Sequence, residues 1–216
     1  MPEPKIFIPA ETVIGYGKTA IAKATETLEL GPGNHFLLAR NGRGKTTLLR
    51  TLARGLPPLV GHPEITGTVQ FIGDELAFDR WLPAKAIFKA LLDSAAYAPA
   101  LALADEAELA VKKPFGELSK GNKQKVLLIL GEFRARPDTA SILLLDEPFT
   151  GLDTHARDCF SRVWLSRTEG ILRFITIHPD YDSMDLNRPV LISNAEIRLA
   201  RPEEGRVWGQ LKSHLN

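Results

Sequence analysis

Residues 37–50 read "LLARNGRGKTTLLR". An apolar run of strand length ends at "NGRGK", and "TTLLRTLARGL" (46–56) then resumes with Leu48, Leu49, Leu52 and Leu56 at helical spacing. Strand, glycine loop and helix in that order describe a phosphate-binding loop. Gly42 and Gly44 let backbone N–H groups approach an anion, and the N-terminus of the following helix adds favourable partial charge. Lys45 reaches the terminal phosphates, and the Thr46 hydroxyl is placed to ligate Mg²⁺. Asn41, Arg43 and Thr47 belong to the same nucleotide-binding loop. The pattern G-x-x-x-x-G-K-[ST] puts Ala39 where glycine is usual. Alanine is a small replacement and fails there only if the position demands a positive φ.

Further along, "SILLLDE" (141–147) reads as a buried strand that delivers two carboxylates to its C-terminal end, where ligands bind in open α/β sheets. Asp146 holds Mg²⁺ through water, and Glu147 polarises the attacking water as general base. Other strand-like runs are "TGTVQFIG" (66–73) and "LRFITIH" (172–178), and "RPVLISNAEIRLA" (188–200) reads as a closing hairpin. Helical patterns lie between them, in "SKGNKQKVLLILGEFRAR" (119–136) and "THARDCFSRVWLSRT" (154–168). Residues 83–112 are rich in Ala, Leu, Lys and Glu, with Pro83 and Pro99 as punctuation, and suggest a small helical subdomain. Residues 5–30 suggest small strands and turns. The fold class is α/β: a mainly parallel sheet flanked by helices on both faces, with a small N-terminal antiparallel β subdomain. One domain spans 1–216, with a core of 1–74 and 137–216 and a reduced helical subdomain over about 75–136.

The bulk numbers agree with one sizeable core. The chain has 216 residues, 44% hydrophobic and 25% charged, and a formal net charge of +1. No charge bias points to nucleic acid or an anionic membrane. Cys159 is the single cysteine, so no intramolecular disulfide forms, which fits a reducing compartment. The longest apolar runs fall far short of the roughly 20 residues of a membrane span, and the N-terminus has no secretory pattern. The chain reads as soluble.

Five motifs in order carry a resemblance. "LSKGNKQK" (118–125) resembles the signature loop of ATP-binding cassette (ABC) ATPases, and "DEPFTGLD" (146–153) resembles their linked Walker B and D-loop. "ITIHPD" (175–180) resembles the switch-histidine segment, "FIGDELAF" (71–78) falls at the Q-loop, and Tyr16 stands where the family has an adenine-stacking aromatic. The resemblance covers nearly the whole chain. It implies a head-to-tail dimer with two ATP molecules sandwiched between the phosphate loop of one protomer and the signature loop of the other. Ser119 and Gly121 then face the γ-phosphate held by the partner, His178 contacts the γ-phosphate at its own phosphate loop and holds water and Glu147 in place, and Asp153 reports across the interface. A lone His after a strand is usually structural; motif order is what raises His178 above that reading.

Departures from the family lie at Ala39, at the Q-loop, in the signature loop and in the length of 74–118. The Q-loop has Asp74, read as a candidate Mg²⁺ or water ligand, with Glu75 as the alternative. The signature has Lys120 and Asn122 in place of the usual Gly and Gln. The resemblance implies Mg²⁺-dependent ATP hydrolysis that powers a separate integral membrane transporter subunit from the cytoplasmic face, with export favoured over import. The second protomer is a copy or a related subunit. The alternatives are a regulatory or assembly module, or an ABC ATPase acting on the ribosome or DNA. No nucleic-acid partner is expected, because the chain has neither a second cassette nor a basic tail. A kinase or small GTPase shares the glycine loop but explains neither "LSKGNKQK" nor the His178 segment.

Overall fold

The computed structural model describes residues 3–73, 75–177, 186 and 188–215. Its apolar stretches form strands because their side chains alternate between two cores. In β5 (Gly33–Ala39), Leu38 joins one core while Leu37 and Ala39 join the other. Ser141–Leu145 and Ile171–Thr176 repeat the pattern, with Leu143, Leu145, Ile171 and Ile175 on the first face and Ile142, Leu144, Leu172 and Phe174 on the second. Strands buried on both faces read as continuous apolar runs, which is why 141–145 and 171–176 carry so little polar punctuation.

The chain order starts with β1 (Lys5–Ile8), β2 (Val13–Tyr16), β3 (Thr19–Ala24) and β4 (Leu28–Leu30) before β5. It continues through α1 (Lys45–Leu52), β6 (Glu64–Thr66), β7 (Thr68–Ile72), α2 (Ala84–Leu91), α3 (Ser94–Glu106) and α4 (Lys120–Arg134). Then come β8 (Ser141–Leu145), α5 (Thr154–Ser166), β9 (Ile171–Thr176), β10 (Val190–Ser193), β11 (Glu196–Leu199) and α6 (Trp208–Leu211). The main sheet runs β2-β3-β11-β10-β5-β9-β8-β7. Its four pairings from β10 through β5, β9 and β8 to β7, and the β11–β3 pairing, are parallel, while the β10–β11 hairpin and the β2–β3 edge are antiparallel. A separate antiparallel sheet, β4-β1-β6, forms the small N-terminal β layer.

Leu48, Leu49 and Leu52 of α1 and Ile6, Ile8, Leu28 and Leu30 of the small sheet cover one face. Helices α2 to α5 cover the other through Phe88, Leu103, Ile129, Phe160 and Trp164. Burying each such side chain contributes roughly 1.5–3 kcal/mol. Pro99 does not punctuate as its sequence position suggests. It lies inside α3, where Asp93 caps the first turn by accepting from the Ala96 N–H and Ala100, Leu103 and Ala104 pack inward beyond it. One lost backbone hydrogen bond is outweighed by that buried face. The 188–200 hairpin turns at Asn194 and Ala195, both with positive φ (51° and 61°), the geometry that matches strand twist. Trp208 and Leu211 near the C-terminus pack on the core.

A charged cluster crosses the first face. Arg173 of β9 is fully buried and its guanidinium meets the Glu132 carboxylate of α4 at 2.6 and 3.1 Å. Arg167 adds a third contact to Glu132 at 2.9 Å, and Asn34 accepts from Arg173. Among the described residues, no helix is long and apolar enough to cross a membrane.

Candidate active site

Strand β5 ends at Ala39, and the chain turns through 40–44 into α1. Ala39 sits in the strand, fully buried and paired with Ile192. It is absent from the non-glycine residues with positive φ, so alanine meets no conformational penalty here. Gly42 and Gly44 do take positive φ, 74° and 102°, and a Cβ on Gly44 would stand 2.8 Å from the Ile21 side chain. The glycines therefore sit where the backbone requires them. Lys45 opens α1 and its side chain is buried; its ammonium donates to the Ala39 carbonyl (3.2 Å) and Asn41 Oδ1 (3.4 Å) and lies 3.6 Å from Glu147 Oε1.

The acidic pair arrives from β8, two strands away in the sheet. Asp146 accepts from the Thr46 hydroxyl at 2.6 Å. Glu147 follows with φ 46°, a left-handed conformation that is uncommon outside glycine. A hydroxyl and a carboxylate oxygen at this separation form a hard-oxygen pair of the kind Mg²⁺ prefers, the phosphates and waters completing the shell. The donor chemistry of Thr46 and Asp146 thus fits that ion.

Two clefts meet at these residues. One, of about 350 Å³, is lined by Tyr16, Asn41, Gly42, Lys45, Thr47 and Glu147 among others. The other, of about 500 Å³, is lined by Arg50, Gly73, Glu75, Asp146 and Glu147, and both share Thr46. Tyr16 stands half-exposed at the rim of the first, its hydroxyl 3.4 Å from that of Thr47. Arg43 is exposed on the loop and lines neither cleft. Glu75 is held by Arg50 of α1 at 2.5 Å. Asp74 and His178 lie outside the described residues.

The signature residues form a second group. Ser119 caps α4, accepting from the Asn122 N–H at 3.2 Å. Gly121 packs against Gly151 of the turn that follows Glu147, so the signature loop and the acidic pair share a backbone contact. Asp153 caps α5 through the Ala156 N–H, which holds its carboxyl below the usual range, and pairs with Lys125 at 3.4 Å. Ser119, Gly121 and Asp153 line neither of the two clefts.

Two residues of the site escaped sequence reasoning. Thr176 of β9 is buried and bonds both Asp146 and the Glu147 backbone; its signal was a lone hydroxyl at the end of an apolar strand. Lys125 is buried and donates to the Ala107 carbonyl at 2.7 Å as well as pairing with Asp153. It read as one more charge in the lysine-rich signature stretch.

A parallel sheet with a Gly-Lys-Thr loop at the end of one strand and an Asp-Glu pair at the end of another defines a nucleoside triphosphatase of the phosphate-loop class. The chain belongs to the ABC transporter family, whose model matches residues 24–150, and it is an ABC-type ATPase. The cytochrome c biogenesis ATP-binding export protein CcmA of Zymomonas mobilis is 36% identical over 149 residues, 67% of this chain and 66% of that one. The aliphatic sulfonates import ATP-binding protein SsuB 1 of Pseudomonas fluorescens is 32% identical over 200 residues, 84% of this chain and 74% of that one. The sulfate/thiosulfate import ATP-binding protein CysA of Escherichia coli is 30% identical, and the chain spans 53% of its length. Among solved structures, an ATP-binding subunit of an ABC transporter superposes with a TM-score of 0.77 at 19% identity, covering 97% of this chain and 98% of that one.

Proposed function

We propose that the chain hydrolyses ATP as one half of a head-to-tail pair and so drives a separate membrane-spanning transporter subunit from the cytoplasmic face. One observation carries the reading: Thr46 and Lys45 of α1 converge on Asp146 and Glu147 of the β8 end, at 2.6 and 3.6 Å.

The chemistry follows from these contacts. The first N–H groups of α1 have no partner within the helix and point at the loop, where the phosphates bind. A triphosphate seated there competes with Glu147 for the Lys45 ammonium, because its oxygens are charged and multiply placed. The carboxylate released from Lys45 takes the proton of the attacking water. Mg²⁺, when bound, neutralises charge on the phosphate oxygens; the Thr46 hydroxyl and the Asp146 carboxylate would hold it. Tyr16 stacks on the adenine, which its exposed position at the cleft rim supports. His178 and Asp74 keep the γ-phosphate and metal roles that the motif order implies.

Ser119 and Gly121 serve the partner's nucleotide. Their support is that they stand at a helix N-terminus outside the clefts that Lys45 and Glu147 line. Asp153, beside them, reports closure across the interface. The second protomer is a copy of this chain or a related subunit. Export is the proposed direction, resting on the short 75–136 segment and on the 36% identical relative named as an export protein; relatives named as importers match at 30 and 32%.

Two experiments test this. Glu147→Gln is expected to abolish turnover, retain ATP binding and run as an ATP-dependent dimer in gel filtration; unchanged turnover would remove Glu147 as general base. Purification from the native cells in mild detergent is expected to bring down a stoichiometric multi-span membrane protein. Ribosomal or DNA-repair proteins in its place would overturn the transport reading and leave the ATPase chemistry standing.

A further inference from the structure

Strand β9 is buried from end to end, yet its last residue carries a hydroxyl. That hydroxyl, on Thr176, has three neighbours. It accepts from the Glu147 backbone N–H at 2.6 Å, and it faces Asp146 Oδ1 at 3.0 Å and the Leu145 carbonyl at 3.4 Å. A hydroxyl offers one proton and two lone pairs. The N–H occupies a lone pair, so the proton goes to an oxygen, and the charged carboxylate is both the nearer and the stronger acceptor. Asp146 is then held at both of its oxygens, by Thr46 from α1 and by Thr176 from β9.

The same hydroxyl governs the next residue. Glu147 takes φ 46°, a conformation that persists in a non-glycine residue only where its surroundings over-determine it. The Thr176 hydroxyl is the hydrogen-bond acceptor at its N–H. Thr150 touches the Glu147 side chain at 3.5 Å and donates its N–H to the Glu147 carbonyl at 3.0 Å, so it fixes the far side of the turn and leaves the Glu147 N–H to Thr176. We propose that Thr176 is a positioning residue for ATP hydrolysis, one hydroxyl setting the direction of the Asp146 carboxylate and the backbone turn that aims Glu147. This rests on the reading of Glu147 as general base.

The test compares the purified chain with Thr176→Val, Thr176→Ser and Glu147→Gln. Turnover is followed across ATP concentrations, and ATP binding is measured separately by displacement of a fluorescent ATP analogue in EDTA. Valine keeps the branched shape and removes the hydroxyl. It is expected to lower kcat by about ten-fold or more with KM and metal-free ATP binding within about two-fold, because the groups that hold the phosphates are untouched. Serine restores the hydroxyl and is expected to keep kcat within about three-fold of the parent. If Glu147→Gln loses turnover but Thr176→Val does not, the inference is wrong and the general-base reading stands. Equal losses in Val and Ser would assign Thr176 to packing and also overturn it. If Glu147→Gln turns over like the parent, the reading beneath it has failed instead. Should Thr176→Val melt too early to assay, Thr176→Cys takes its place, with a weak donor in the same volume and the same expected outcome.

Discussion

The backbone of Gly121 lies so close to the Gly151 carbonyl that a Cβ at 121 would collide with that oxygen. The signature loop and the turn that leaves the acidic pair therefore pack backbone against backbone, with no room for a side chain between them. Gly121→Ala must displace one of them. It is expected to lower ATP turnover by about ten-fold or more while metal-free ATP binding at the Lys45 loop stays near the parent value. Parallel titrations of turnover and of fluorescent-nucleotide displacement check this, and turnover equal to the parent would mean that the contact yields without cost.

Ala39 and Gly44 occupy the two glycine positions of the phosphate loop and should respond in opposite ways. Ala39 needs no positive φ, so Ala39→Gly is expected to leave ATP affinity within about two-fold and to cost roughly 0.5–1 kcal/mol of stability. Gly44 takes φ 102° and stands against Ile21, so Gly44→Ala is expected to lose most ATP binding. Isothermal titration with ATP and urea unfolding of both variants distinguish the two cases.

The Glu132–Arg173 pair, with side chains 1% and 0% exposed, ties α4 to β9. Removing one partner leaves an uncompensated buried charge. Glu132→Ala is expected to destabilise the fold by about 3–5 kcal/mol in urea unfolding. The double change Glu132→Leu with Arg173→Met should recover much of that loss, since no fully buried charge remains and Arg167, 31% exposed, keeps water and the backbone carbonyls of residues 132 and 135. A double variant no better than Glu132→Ala would assign the cost to packing.

Near the C-terminus, Glu204 is paired with Arg198 at 2.5 Å and accepts from the Arg201 N–H. The Arg198 hydrogen bonds, ahead of the backbone and the His214 charge, pull its pKa from 4.5 to about 2. The folded value lies below the unfolded one, so the stabilisation is present in full above about pH 4.5 and is lost as pH falls towards about 2. Thermal melts are expected to drop across that window, and Glu204→Gln should melt lower at neutral pH and show a flatter acid limb. An acid limb unchanged in Glu204→Gln would mean that other carboxylates carry it.

Sequence alone determined the elements whose signal is local. Two glycines just ahead of Lys45, a leucine spacing after it, and an apolar run ending in Asp146 and Glu147 each lie within a dozen residues, and each is dictated by backbone freedom or side-chain period. Local pattern misjudged Pro99, because the buried face beyond it belongs to a core assembled from distant segments. Tertiary structure decided what depends on strand order. Only the placement of β5, β9 and β8 as neighbours brings Thr176 onto the Asp146 carboxylate and the Glu147 N–H, Arg173 against Glu132 and Thr46 within 2.6 Å of Asp146, a hundred positions along the chain. A hydroxyl's partners are set by where the sheet carries it, and no periodicity in the sequence encodes that distance.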